Sequence, residues 1–150
     1  MRVLIQRVSE ANVKVAGETI GSIATGMLIL LGIEAADSIE DIDWLCAKIS
    51  NLRIFNDADG KMNLSTKEID SSYLVISQFT LHASTKKGNR PSYIKAARPE
   101  IAKPLYIQFI EQLALCSNTK VEQGLFGADM QVHLINDGPV SLLIDSKNKE

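Results

Sequence analysis

Tyr73-Leu74-Val75-Ile76 is a short apolar run that ends in Ser77-Gln78-Phe79-Thr80-Leu81. A run of this length, rich in aromatic and β-branched residues and stopped by polar ones, reads as a strand. The arrangement recurs near the C-terminus, where Met130-Gln131-Val132-His133-Leu134-Ile135 precedes Asn136-Asp137-Gly138-Pro139-Val140. Each pair puts polar groups and backbone N–H donors at the rim of a sheet, where small-molecule sites form. Upstream, Arg2 to Val8 reads as one strand, Ala11 to Ala16 as a second and Thr19 to Ala24 as a third. The continuous run Met27 to Ile33 reads as a strand covered on both faces.

Helical spacing marks two further segments. Ser38 is an N-cap with Glu40 and Asp41 behind it, and Ile39, Ile42, Leu45, Ile49 and Leu52 recur every three or four residues. A second helix lies between about Pro99 and Cys116, with Leu105, Phe109 and Leu113 on one face. Pro104 removes a donor and crowds the preceding turn, which leaves Pro104 as an alternative start. Asn56 to Gly60 reads as a turn-rich loop that lacks the twelfth-position acid of a calcium loop. His82 to Pro91 reads as a polar loop. Val121–Phe126, Met130–Ile135 and Val140–Ile144 read as the last three strands. Four strands, a helix, a strand, a helix and three strands define an α/β domain. Its two helices cover either a strongly curved, barrel-like sheet or two stacked sheets.

The bulk properties narrow the function classes. At 150 residues the chain is expected to form one domain, residues 1–150, that needs no disulfides. Cys46 and Cys116 lack metal-ligand spacing and read as free thiols in a reducing compartment. There is no signal-peptide pattern and no apolar run of about 20 residues, so a cytoplasmic protein without a membrane partner is expected. A net charge of −2 excludes a global basic field, so a nucleic-acid partner would need a local patch.

Eight segments in order carry a resemblance to a known family. They are Met1–Val8, Gly26–Ile33, Arg53-Ile54-Phe55, Gly60–Leu64, Ser77–Leu81, Arg90-Pro91-Ser92-Tyr93, Phe126–Met130 and Asn136–Val140. In this order and spacing the chain resembles the D-aminoacyl-tRNA deacylases (D-tyrosyl-tRNA deacylase family). About 146–150 corresponds to a variable tail. Ser141 stands where the family more often has Thr, and His82 where a small or non-ionisable residue is expected. The resemblance implies a hydrolase of carboxylic esters. It would release D-amino acids from tRNA, and glycine mischarged on the alanine tRNA, while rejecting L-aminoacyl-tRNA. It implies a homodimer with active sites at the subunit interface. There a Gly138–Pro139 cis turn enters the partner's site and its carbonyls meet the substrate's α-amino group.

Ester hydrolysis needs a nucleophile, an oxyanion site and a positioned carbonyl. Ser77, Gln78, Phe79 and Thr80 are the candidate catalytic residues, with the Phe79 and Thr80 N–H groups as donors. No nucleophile elbow, paired histidines or Cys/His cluster is present, so neither a metal nor a cofactor is expected. His82 is expected to be exposed and uninvolved, and His133 packed within its strand. Without a base Thr80 is a poor nucleophile. The resemblance supplies an alternative, in which backbone donors position the ester and the terminal 2′-hydroxyl of the RNA assists. Thr80 as direct nucleophile is the competing mechanism. Lys86, Lys87 and Arg90 are candidate phosphate contacts, and Phe126 and Met130 a candidate face for the terminal adenosine. Arg7 is placed to brace Gly138 and Pro139 in chiral selection. Two other classes compete: a module that binds nucleic-acid ends without hydrolysis, and a thiol esterase using Cys46 or Cys116.

Overall fold

The computed structural model describes residues 1–149. Its elements are β1 (Arg2–Val15), β2 (Glu18–Ile23), β3 (Gly26–Gly32), α1 (Ile39–Ser50), β4 (Phe55–Asn56) and β5 (Met62–Leu64). They continue through β6 (Ser72–Ser77), a 3-10 turn (Phe79–His82), α2 (Pro99–Ser117), β7 (Lys120–Gln123) and β8 (Gln131–Asp145). β1 is the long central strand. Its first half pairs antiparallel with β3 and its second half with β2, while β8 follows the opposite edge throughout. β6 joins β3 in parallel, and β7 joins β6 in parallel. β2 curls back over this end: a Cβ on Gly21 would lie 2.9 Å from the Gln123 carbonyl oxygen. The result is a nearly closed, barrel-like sheet, one of the two architectures expected from the sequence.

Alternation along the strands separates two apolar regions. Val3, Ile5, Met27, Ile29, Leu31, Tyr73 and Val75 face outward beneath α1 and α2, against Ile42, Leu45, Ile49, Phe109 and Leu113. Leu28, Leu74 and Ile76 face inward with Val8, Ala11, Val13 and Ile23. Each fully buried Leu or Ile contributes about 1.5–3 kcal/mol. α1 begins as its sequence requires, with the Asp41 carboxylate accepting the Ser38 N–H at 2.9 Å. α2 begins at Pro99, so Pro104 does not mark its start. Pro99 occupies a position whose N–H would be unpaired anyway, and the Arg98 carbonyl accepts from Ile101 and Ala102 at 3.0 and 2.9 Å. Pro104 therefore falls in the second turn, where it removes one helical bond.

Three other expectations are corrected. The segments 2–8 and 11–16 are one strand, because irregular pairing around Val8 to Glu10 shifts the alternation without ending the ladder. The loop after α1 contains the small β4–β5 hairpin. The seventh strand stops at Gln123, three residues before Phe126. The C-terminal tail is anchored at its start. Ser146 Oγ donates to Asp41 at 2.6 Å, and Lys147 Nζ lies 2.7 Å from the same carboxylate. Burial opposes ionisation of Asp41, but the hydrogen bonds from Lys147, Ser146 and the Ser38 N–H outweigh it and hold its pKa down to about 2.

Candidate active site

The end of β6 opens onto a cleft of about 540 Å³. Ser77, Gln78 and Phe79 form one side, Tyr93 and Ala96–Pro99 a second, and Phe126 with Met130 a third. The Gln78 N–H donates to the Leu31 carbonyl at 2.7 Å, the last bond of the β3–β6 ladder. The chain then tightens into the 3-10 turn, where Leu81 N–H bonds Gln78 O at 3.2 Å and Ala83 N–H bonds Thr80 O at 3.0 Å. Phe79 and Thr80 open that turn, so their N–H groups have no acceptor within it. Among the described residues neither N–H meets another acceptor. Gln78 Nε2 donates to Thr80 Oγ1 at 2.5 Å, which fixes both side chains. No carboxylate or imidazole of the described residues bonds the Thr80 hydroxyl.

The walls have separate origins. The Phe79 ring, 55% exposed, meets the Tyr93 ring edge-on at 5.0 Å. The Ser84 and Ser92 backbones pair at 2.8 and 2.9 Å, closing a loop that carries Lys86, Lys87 and Arg90 exposed beyond it. Phe126 packs against Tyr106 at 5.6 Å between ring centres. Burial pushes the Tyr106 phenol well above its usual range, although its contact with the Gly124 carbonyl opposes this. Its hydroxyl donates to Val75 O at 2.8 Å and lies 3.3 Å from Gly124 O, tying α2 to the ends of β6 and β7. Tyr93, Ala96 to Pro99 and Ala102 are wall residues that sequence reasoning missed. Pro99 at a helix start was the available signal for that wall.

His82 is not exposed. It is 2% exposed, packed against Gly32, and neither ring nitrogen has a hydrogen-bond partner among the described residues. His82 ends the 3-10 turn, and no described group bonds it to Thr80. His133, expected to be packed, is exposed on β8 beside Asn12. Cys46 is buried, and burial drives its thiol far above the range in which a thiolate forms. That removes one nucleophile the thiol-esterase reading requires.

Gly138 and Pro139 lie elsewhere in the chain. They do not end a strand: they bulge from β8, between Val8↔Asn136 and Gln6↔Ser141, so that Asp137 to Val140 face Arg7 alone. Their peptide bond is cis. Arg7 is 6% exposed and spans the bulge. Its Nε donates to Asp137 O at 3.0 Å and lies 3.3 Å from the Asp137 carboxylate, while Nη1 donates to Ile54 O at 2.6 Å. Asn136 brackets the bulge, accepting from Val140 N–H at 2.9 Å and donating to Ser141 Oγ at 2.9 Å. The serine thus supplies the hydroxyl that threonine would. Arg7 pairs with Met27 and Met27 with Tyr73, whereas Ser77 lies four residues further along β6. Within one chain, about 13 Å along the strands and two intervening strands separate the bulge from the cleft. Gly138 and Pro139 do not line it.

The fold and the cleft match one family. The D-Tyr-tRNA(Tyr) deacylase family model matches residues 4–145. The chain belongs to this family, and its class is that of hydrolases acting on aminoacyl-tRNA esters. A D-aminoacyl-tRNA deacylase of Bacteroides fragilis is 63% identical, and one of Flavobacterium psychrophilum 59%, each over the whole of both chains. A solved structure described as c-Myc DNA Unwinding Element Binding Protein superposes with a TM-score of 0.90 at 39% identity, covering 97% of this chain and 98% of that one. Another, described as a probable eukaryotic D-amino acid tRNA deacylase, gives 0.83 at 14% identity over 95% and 97%, and shares the fold. No helix among the described residues is long and apolar enough to cross a membrane.

Proposed function

We propose that the chain removes D-amino acids, and glycine mischarged on the alanine tRNA, from the 3′ end of tRNA. The observation that carries this reading is the pair of N–H groups at Phe79, which lines the apolar cleft, and at Thr80, next in the chain, neither of which meets an acceptor among the described residues. Such donors stabilise the oxyanion of an acyl-transfer intermediate, and each is worth about 10²–10³ in rate. Gln78 donates to Thr80 Oγ1, which leaves the hydroxyl's own proton without a base. This favours a water nucleophile assisted by the RNA 2′-hydroxyl over Thr80 itself. Phe126 and Met130 form an apolar wall suited to the terminal adenosine, and Lys86, Lys87 and Arg90 meet backbone phosphates.

Chiral selection is assigned to Gly138 and Pro139 of a second subunit. The bulge is exposed, and Ile135 and Leu143 on the same strand are large apolar residues 55% and 66% exposed, which suits a second copy of this chain. Arg7 holds the bulge rigid. The Gly138 and Pro139 carbonyls then meet the substrate's α-amino group and leave no space for an L side chain, while hydrogen or a D side chain points outward. Selection by exclusion is indifferent to which D residue is present.

The test compares hydrolysis of D- and L-tyrosyl-tRNA, with free aminoacyl esters as controls. Selective release from the D form, with little from the free ester, supports the reading. Equal rates on both enantiomers, or tight tRNA binding without hydrolysis, favour the binding-module alternative that the DNA-binding name of one structural relative suggests.

A further inference from the structure

The formal charge of −2 conceals a strong local asymmetry. Of the 16 basic residues, six lie between 86 and 103: Lys86, Lys87, Arg90, Lys95, Arg98 and Lys103. Glu100 is the one acid in that stretch, so it carries +5 and the remainder −7. All six cations are exposed, and none is in an ion pair among the described residues. Three belong to the loop already discussed. The others follow the second wall of the cleft: Lys95 lies between the lining residues Tyr93 and Ala96, Arg98 lines the cleft, and Lys103 follows the lining residue Ala102. The N-terminus of α2 opens at the same wall and adds the positive end of a 19-residue helix. Unpaired cations beside a cleft in an otherwise acidic protein concentrate potential at that cleft.

We propose that Lys95, Arg98 and Lys103 form a second phosphate-binding limb, which holds the backbone of the single-stranded 3′ end of tRNA along the α2 wall. The proposal rests on the aminoacyl-tRNA reading above. It adds the side of the cleft along which the RNA backbone runs, and three residues that read the backbone rather than the amino acid. Each neutralised phosphate of a single strand contributes about 0.7 to the slope of log affinity against log salt.

The experiment measures the Kd of uncharged tRNA across a KCl series. Lys95→Gln/Lys103→Gln lowers the slope by about 1.4. Lys95→Arg/Lys103→Arg retains it, which separates lost charge from altered folding. Neutralising two exposed lysines outside the stretch, Lys48→Gln/Lys61→Gln, leaves it unchanged. An unaltered slope in the first variant overturns the limb, as does an equal fall in the distant pair. Deacylation of D-tyrosyl-tRNA is followed in parallel. A lowered slope without hydrolysis by any form removes the catalytic reading and keeps the limb, whereas hydrolysis with an unaltered slope removes the limb alone.

Discussion

On the proposed reading, the chemistry at Phe79 and Thr80 depends on backbone N–H groups more than on side chains. Thr80→Ala keeps both donors, so it should retain most activity, whereas Phe79→Pro removes one and should lower kcat by about 10²–10³. Single-turnover deacylation with parallel substrate binding checks this. A folded, substrate-binding Thr80→Ala enzyme with no activity would instead make Thr80 the nucleophile. His82 offers a contrasting case, because burial without a partner makes its imidazole a cost to folding. His82→Leu, close to histidine in volume, removes two unsatisfied nitrogens. It should therefore melt at or above the wild-type temperature and keep its deacylation rate. A large rate loss at unchanged stability would assign His82 a part in the reaction. Gly138 sits at φ +123, and a Cβ there would stand 2.8 Å from Arg7 Nη2 and 2.9 Å from Val140 Cγ2. Gly138→Ala should cost about 1–3 kcal/mol in denaturant unfolding and weaken glycyl and D-aminoacyl substrates.

Among the elements, the contact of β3 with β6 tolerates least. A Cβ on Gly26 would fall 1.8 Å from the Ser72 carbonyl oxygen, which is backbone and cannot swing aside. Gly26→Ala should therefore cost about 3 kcal/mol or more, the upper end of overpacking, and leave little folded protein in a melt. The start of α1 and the tail meet at Asp41, whose pKa is lowered from 3.8 to about 2. A depressed carboxylate contributes stability that is present above pH 4 and lost as pH falls toward 2. Asp41→Asn should thus be less stable at neutral pH and show a flatter stability profile across that window. Identical profiles for both proteins would contradict the assignment. These elements differ in how legible they were. Apolar patterning marked all four main elements: helical periodicity marked α1 and α2, and unbroken apolar runs marked β3 and β6. It divided β1 in two, because irregular pairing shifts the alternation there, and it missed β4 and β5, which are too short to have a period. It placed Ser77 to Thr80 at a strand end. His82 escaped it, since a 3-10 turn redirects a side chain in a way that strand alternation cannot convey. The α2 wall escaped it too, because residues 93–102 join the cleft only through tertiary packing.

For the whole molecule, the separation of the two motifs is the central fact. One chain holds the cleft beside Phe79 and Thr80 and, about 13 Å further along the strands, an exposed bulge braced by Arg7. A site that needs both requires two chains, arranged so that each bulge meets the other's cleft. The most direct measurement is complementation between two defective forms. Phe79→Pro removes one donor and Gly138→Ala disturbs the bulge, so each homodimer should hydrolyse D-tyrosyl-tRNA poorly. After the subunits are mixed and exchanged, half of the dimers carry one site with both defects and one with neither. In a two-fold dimer the account predicts recovery of about a quarter of wild-type activity. Activity no higher than the mean of the two variants would contradict a site shared between subunits.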